Sequence, residues 1–413
     1  MQGGKTMSDL LKYIAQFGDR TFDDVPFGDA DNLALCEIFY LPFEHVISDS
    51  FDAEPVPFDD ASRALFALRG NRHRRVGLVL SKESSREMMA MRTTPRFSQI
   101  KLWAVRSAFA RPALQFGCMT ALLPDGTAVI VFRGTDDTLT GWHEDLDLYL
   151  NDGMMSYPLA EAYLKEAAAR LDGDLIICGH SKGGNLALYT ALTADEATRK
   201  RIKAVYNNDG PGFRNYRRYE TGVYDELLPR YRHLVPSASM LGMMLAHDYD
   251  YTVVKNRRIV GLLQHDLTFW RVQDGAVVTR DDLWGFAKFT DLLLANLIFR
   301  IRDEHCEILD FTANQFLDGA KVETLTEAIK ILPVVAVRVL GAWCGMEKDK
   351  RTLFRRTLHG VTDITVRTAL RFRKGDVPAA PSEAGMLRKP GRPVVTVARR
   401  QFGQNAEPVP VNA

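Results

Sequence analysis

The chain of 413 residues has no surplus of charge: 53 Lys and Arg stand against 52 Asp and Glu. No global field therefore draws it to nucleic acid or to an anionic membrane. Its five cysteines, at positions 36, 118, 178, 306 and 344, contain no Cys-x-x-Cys spacing and no even framework. That argues against a disulfide scaffold or a zinc site and fits a reducing compartment. Long apolar runs are missing too. The longest, such as Ile331 to Trp343, are broken by Arg338 and fall short of the roughly 20 residues that span a bilayer. The N-terminal stretch MQGGKTMSDLLKYIAQFGD meets acidic residues before any apolar segment of signal-peptide length, so a cytoplasmic location is expected. No repeat of fixed period appears, which rules out solenoids and propellers. What is present is ordinary globular material, with 46% hydrophobic, 10% aromatic and 25% charged residues. The length exceeds the needs of one ordinary domain.

Two helical patterns, Ser8 to Gln16 and Asp29 to Tyr40, occupy the first sixty residues, separated by Gly-Asp and Pro-Phe-Gly punctuation. From about Ala113 the pattern changes. LQFGCMTALL, a Pro124-Asp125-Gly126 turn and TAVIVF predict two strands. Helical stretches follow at Gly141 to Leu150 and Tyr157 to Leu171, then a short apolar strand, LIIC at 175–178, that runs directly into Gly179. Ala187 to Ala194 is helical, and Ile202 to Tyr206 is a β-like run closed by a turn-rich Asn-Asn-Asp-Gly-Pro-Gly segment. Such alternation predicts βαβ units and a mostly parallel sheet with helices on both faces. The expected division is an N-terminal helical extension over 1–70, an α/β core over 71–280, a helical region over 281–374 that covers it, and a tail over 375–413. Residues 371–413 hold 8 Lys and Arg against 3 Asp and Glu, with few large apolar residues; a solvated, disordered end is expected.

The sharpest chemical signal is Gly179-His180-Ser181-Lys182-Gly183, set between an apolar strand and a helix. A nucleophile elbow needs that context, because a strained strand-to-helix turn lifts the serine Oγ clear of the sheet. The turn presses the positions two before and two after the serine together, and Gly179 and Gly183 are small enough for it. The backbone N–H of Lys182 would then face a developing oxyanion from the helix N-terminus. A second donor must come from another loop. Val131-Phe132-Arg133-Gly134-Thr135-Asp136-Asp137 follows a strand and precedes a helix, so the amide and hydroxyl of Thr135 are the candidates.

At these two motifs the sequence resembles a known family. VIVFRGTDDTLTGWHEDLDL followed by IICGHSKGGNLALY is similar to the class-three lipase branch of the α/β-hydrolases. It is closer still to a bacterial family of lipase-like proteins of unknown function, called Mbeg-like. The resemblance extends to GDRTFDDVPFGDADNLAL and to SMLGMMLAHDYDYTVVKNRRIVGLLQHDLTFW, and so covers roughly residues 8 to 330. It implies an α/β-hydrolase fold, a nucleophile at Ser181 and an oxyanion residue at Thr135. Chain order in that fold places the base last. Of the histidines after Ser181, His265 matches the family motif and lies where a loop would present it. His233 and His247 read as surface or capping residues, and His180 as one that packs or hydrogen-bonds beside the serine. The acid is less constrained. Class-three lipases carry an aspartate where this chain has Ser239, so theirs cannot be carried over. Asp209 closes the strand after the nucleophile helix and leads, with Asp248, Asp250 and Asp266 as competitors.

The expected protein is thus a serine esterase or lipase-like hydrolase acting on a small-molecule or lipid-like ester, with no metal and no organic cofactor. The catalytic set is Ser181, His265 and Asp209, with Thr135 and Lys182 at the oxyanion. No specific nucleic acid and no transmembrane segment are expected. The competing reading is a catalytically silent hydrolase-like scaffold that binds an acylated ligand or a protein partner. Gly-Lys-Thr at 4–6 lacks the strand and spacing of a phosphate loop. Met240, Met243 and Met244 fit a core cluster or the lining of an acyl pocket.

Overall fold

The computed structural model describes residues 7–69, 83–150, 153–213, 221–245, 251–259, 261–285, 287–290, 292–293 and 343–373, with 323, 324, 327, 330, 337 and 341. Helices α1 (Asp9–Phe17), α2 (Asp29–Ile38), α3 (Phe58–Arg69), α4 (Ser84–Met91) and α5 (Pro95–Ser98) precede the long strands, and a two-residue strand β1 (Val56–Pro57) lies among them. Ser8 starts α1 by accepting the Leu11 N–H, and Gly28 starts α2, where its own N–H is taken by the Asp31 carboxylate. Next come β2 (Lys101–Ala110), β3 (Leu114–Leu122) and β4 (Ala128–Phe132), then α6 (Leu139–Leu150), α7 (Ser156–Arg170) and β5 (Leu175–His180). The chain continues through α8 (Lys182–Thr193), α9 (Glu196–Arg201), β6 (Ile202–Asn208), α10 (Thr221–Leu227), β7 (Tyr231–Pro236) and β8 (Tyr251–Val254).

One nine-stranded sheet runs in the order β1-β2-β3-β4-β5-β6-β7-β8-β11, where β11 is Thr279–Arg280. A small hairpin of β9 (Val272–Gln273) and β10 (Ala276–Val277) stands apart from it. Strands β4 to β8 are parallel, and the pairings outside them are antiparallel. This is the mixed, centrally parallel sheet of an α/β fold. Alternation along each central strand sends residues to opposite faces. Val129, Val131, Ile176 and Cys178 join a core built with α1, α2 and α4. Ala128, Ile130, Phe132, Leu175 and Ile177 join a second core with α7, α8 and α10. Both faces are covered, which is why these strands read as continuous apolar runs.

The strand β2 is an addition to what the sequence predicts, since its KLWAVRSAFA mixes small, basic and aromatic residues without clean alternation. It bulges between Trp103 and Arg106, with Ala104 at a positive φ. The bulge carbonyl of Ala104 accepts the Tyr163 hydroxyl at 2.8 Å, so a tertiary contact stabilises what local pattern does not. Of Met240, Met243 and Met244, which lie in a bend and turn segment, Met243 is buried. Of the helical region expected over 281–374, the described residues include α11 (Lys348–Arg373). Residues 1–6, 294–322 and the tail 375–413 lie outside the described residues, as do His247, Asp248 and Asp250. Among the described residues no helix is long and apolar enough to cross a membrane.

The N-terminal helices are tied down by a buried ion pair. Arg96 is fully enclosed and grips both oxygens of Asp31, at 2.8 and 2.7 Å, while it also donates to the carbonyls of Arg20, Thr21 and Val25. Removing the cation leaves a buried carboxylate uncompensated, which costs about 3–5 kcal/mol. Arg96→Met should therefore lower the urea midpoint strongly, and adding Asp31→Leu should recover part of the loss. Equal stability of Arg96→Met and wild type would refute this account of the pair.

Candidate active site

Strand β5 ends on Gly179 and His180, and α8 begins at Lys182, so a single residue makes the turn. That residue, Ser181, is held at φ 58° and ψ −131°, a strained conformation for a side chain with a Cβ. The surroundings over-determine it. A Cβ at Gly179 would collide with the Gly183 carbonyl, and one at Gly183 with the carbonyl of Phe132 at the end of β4. Only glycine lets strand and helix approach so closely. The Ser181 N–H is taken by the Asn208 carbonyl at 2.9 Å, and the Ser181 carbonyl accepts the Gly184 N–H, also at 2.9 Å.

The loop after β4 reaches the same place. A Cβ on Gly134 would collide with the Tyr40 hydroxyl and the His180 carbonyl and would lie 3.0 Å from the Ser181 Cβ. Thr135, the next residue, therefore stands beside the elbow. Among the described residues the backbone N–H groups of Thr135 and Lys182 donate no hydrogen bond. The Thr135 hydroxyl, in contrast, is committed, because it donates to the Asp145 carboxylate at 2.8 Å from each oxygen. The amide is the group of Thr135 left for a ligand.

Lys182 sends its side chain the other way. Its ammonium is buried under the sheet, where it donates to Gln115 and lies 2.6 Å from Glu144. Glu144 also accepts from the Gln115 N–H, the Ser156 N–H and the Ser156 hydroxyl, so the buried pair is fully hydrogen-bonded. The elbow is thereby pinned to β3 and α6.

His265 closes a short 3-10 turn (Gly261–His265) after β8. Its Nδ1 lies 2.7 Å from Asp209 Oδ2, and both side chains are buried. The other Asp209 oxygen accepts the Ser239 hydroxyl at 2.5 Å and the Gly242 N–H at 3.1 Å. Ser239 is the position at which the lipase resemblance leads one to look for an aspartate; here it supports an aspartate from the preceding strand. Asp209 sits at a positive φ of 54° at the end of β6, which turns its carboxyl toward the histidine. Asp266 does something else: its carboxyl caps Thr268, at 3.0 Å from the amide and 2.6 Å from the hydroxyl. His233 is buried in β7, with Nε2 3.2 Å from the Gly210 carbonyl, which corrects the expectation of a surface or capping residue. Its side of β7 is covered by the rings of Tyr231 and Tyr251, 6.1 and 6.5 Å away.

His180, the chain neighbour of Ser181, has its ring 4.2 Å from that of His265. Tyr40, Asn208, Glu144 and Asp145 are site residues that sequence reasoning did not single out. Glu144 and Asp145 carried one signal, their place in the family-like GWHEDLDL segment. Among the described residues no group of His, Cys, Asp or Glu has an arrangement that could hold a metal ion.

Residues 91–311 match the Mbeg1-like family. Among solved structures the chain is similar to the Rhizomucor miehei lipase propeptide complex in its native form, at 16% identity and a TM-score of 0.30. That likeness covers 47% of this chain and 64% of the lipase chain, so the match spans less than two thirds of the lipase. No curated protein matches.

Burial pushes the Asp145 carboxyl up to about 6, against the pull of Lys182 and the Thr135 hydroxyl. The folded protein thus holds this proton more tightly than the unfolded chain, whose ordinary value is 3.8. Stability from this group is greatest below about 4 and is lost as pH rises toward 6. Asp145→Asn abolishes that dependence, so its stability relative to wild type should rise between about pH 4 and 6 and stay level above about 7. Denaturant midpoints of both proteins across that range check it; a constant difference would refute the assignment.

Proposed function

The chain belongs to the Mbeg1-like family, and from that premise we propose that it is a serine hydrolase cleaving a carboxylic ester, of a lipid or another acyl compound, through an acyl-enzyme. The observation that carries the reading is the 2.7 Å bond from His265 to Asp209, on a histidine that stacks against the neighbour of a strained, strand-to-helix serine.

A carboxylate only accepts, so Asp209 holds the His265 proton on Nδ1 and leaves Nε2 as the base. Ser181 Oγ attacks the ester carbonyl carbon while Nε2 takes the hydroxyl proton. The carbonyl oxygen becomes an oxyanion, met by the N–H groups of Thr135 and Lys182. His265 then returns the proton to the leaving alkoxide, an alcohol departs, and the acyl group stays on Ser181. Water, deprotonated by the same nitrogen, attacks the acyl carbon and releases the carboxylic acid and free serine. Asp209 stabilises the imidazolium formed in both halves, and its own charge is steadied by Ser239 and Gly242.

A second reading, a silent scaffold that binds an acylated ligand or a protein partner, draws on one observation. Among the described residues the side-chain hydrogen bond of His265 is to Asp209, and none joins it to Ser181 Oγ. Such bonds are often long before substrate binds and tighten in the reacting complex.

The two readings separate on an active-site-directed fluorophosphonate. Wild type should be labelled and should cleave short p-nitrophenyl esters, and Ser181→Ala should lose both with little change in melting temperature. Asp209→Asn should lower kcat by roughly ten-thousandfold, the loss seen for the corresponding change in a serine protease. His265→Ala should be comparable, and the double variant scarcely worse. Absence of labelling in folded wild type would favour the scaffold.

A further inference from the structure

His180 is a residue the reaction above leaves unused, although it contacts both Tyr40 and His265. It lies at the end of β5, 1% exposed, between Gly179 and Ser181. Its Nε2 is 2.8 Å from the backbone carbonyl oxygen of His265. A carbonyl can only accept, so Nε2 carries a proton. Its Nδ1 is 2.8 Å from the Tyr40 hydroxyl. In a neutral imidazole that nitrogen is an acceptor, so Tyr40 donates and both ends of the ring call for the same tautomer. Burial, first, and the nearby His265, second, hold the His180 pKa well below its ordinary value, and the ring stays neutral.

The ring also has a packing role. It lies 4.2 Å from the His265 ring, inclined by 33°, and Tyr40 meets its other side edge-on at 5.8 Å. His265 is therefore held at three points: ring Nδ1 by Asp209, backbone carbonyl by His180, and ring face by His180. A cation at position 180 would oppose the imidazolium that forms on His265; a neutral ring does not. The grip originates in the N-terminal helices. Tyr40 lies two residues beyond the end of α2, and Asn32 of α2 exchanges two amide hydrogen bonds with Asn208, at 2.9 and 3.0 Å. Asn208 in turn accepts the Ser181 N–H and donates to the Gly179 carbonyl. One helix thus braces both the nucleophile turn and the histidine.

We propose that His180 is a positioning residue for His265: Tyr40 fixes it as the Nε2–H tautomer, and that N–H holds the backbone of the base while the ring limits its rotation. The proposal rests on reading His265 as the base. A displacement of about 1 Å in such a group is enough for a hundredfold loss of rate.

Glutamine at position 180 can donate to the carbonyl and accept from Tyr40, whereas leucine can do neither. In His180→Leu, kcat on a short p-nitrophenyl ester should fall roughly hundredfold with KM unchanged. The downfield proton resonance of the His265 Nδ1–H to Asp209 bond should broaden or vanish. His180→Gln should retain the resonance and recover kcat to within about tenfold, and Tyr40→Phe should fall between wild type and His180→Leu. Should the leucine variant not fold, His180→Asn, whose amide is too short to span both partners, carries the same comparison with glutamine. A leucine or asparagine variant with wild-type kcat and a sharp resonance would overturn the proposal, as would a glutamine variant as damaged as leucine. If wild type cleaves no ester, the hydrolase reading fails, while the resonance still decides whether His180 positions His265.

Discussion

At Ser181 a residue with a Cβ is kept in a left-handed conformation, and the rest of the site is arranged around that strain. It persists because strand, turn and helix are packed to backbone contact through Gly179, Gly183 and the Phe132 carbonyl. Each neighbouring strand then contributes to the same point. The loop after β4 brings Gly134 and Thr135, β6 ends in Asn208 and Asp209, and the segment after β8 returns with His265. Loops at the carboxyl ends of parallel strands converge in this way because all the strands run the same direction.

Charge is handled by enclosure and pairing. Lys182 and Glu144 form a fully hydrogen-bonded pair beneath the elbow, and Arg96 with Asp31 ties α5 to α2 and to the loop before it. Around Asp266 the solution is different. Burial raises the carboxyls of Glu37 and Glu87, the latter to about 8, and that of Asp266 to about 6. Glu37 and Glu87 face Ser84 and Ser8 rather than any cation, so they favour the protonated form at neutral pH. Asp209, by contrast, has three hydrogen-bond donors, His265, Ser239 and Gly242.

The N-terminal helices are consequently more than an appendage to the sheet. Helices α1 to α3 lie outside residues 91–311, the stretch that matches the family. Yet α1 and α2 help complete a core against the sheet, and α2 with Tyr40 reaches the serine turn and the histidine through Asn208 and His180.

The amino-acid sequence by itself determined the alternating strands and helices from β3 to β6, the serine at a strand-to-helix turn and the late histidine. These are local properties: apolar runs, glycine at two fixed offsets, and turn residues within a few positions of one another. Only tertiary structure sets Asp209 beside His265, because the bond joins residues 56 positions apart and the carboxyl is also held by Ser239 and Gly242. It also decided the direction of the Lys182 side chain, which meets Glu144 at a separation of 38, and the partner of His180, which is 140 positions away in Tyr40. The strand β2 was hidden for the same reason, since a bulge held by Tyr163 has no trace in the local alternation. Pattern reveals what neighbours in the chain impose on one another; the pairing of buried polar groups is imposed by whichever distant segment the fold brings alongside.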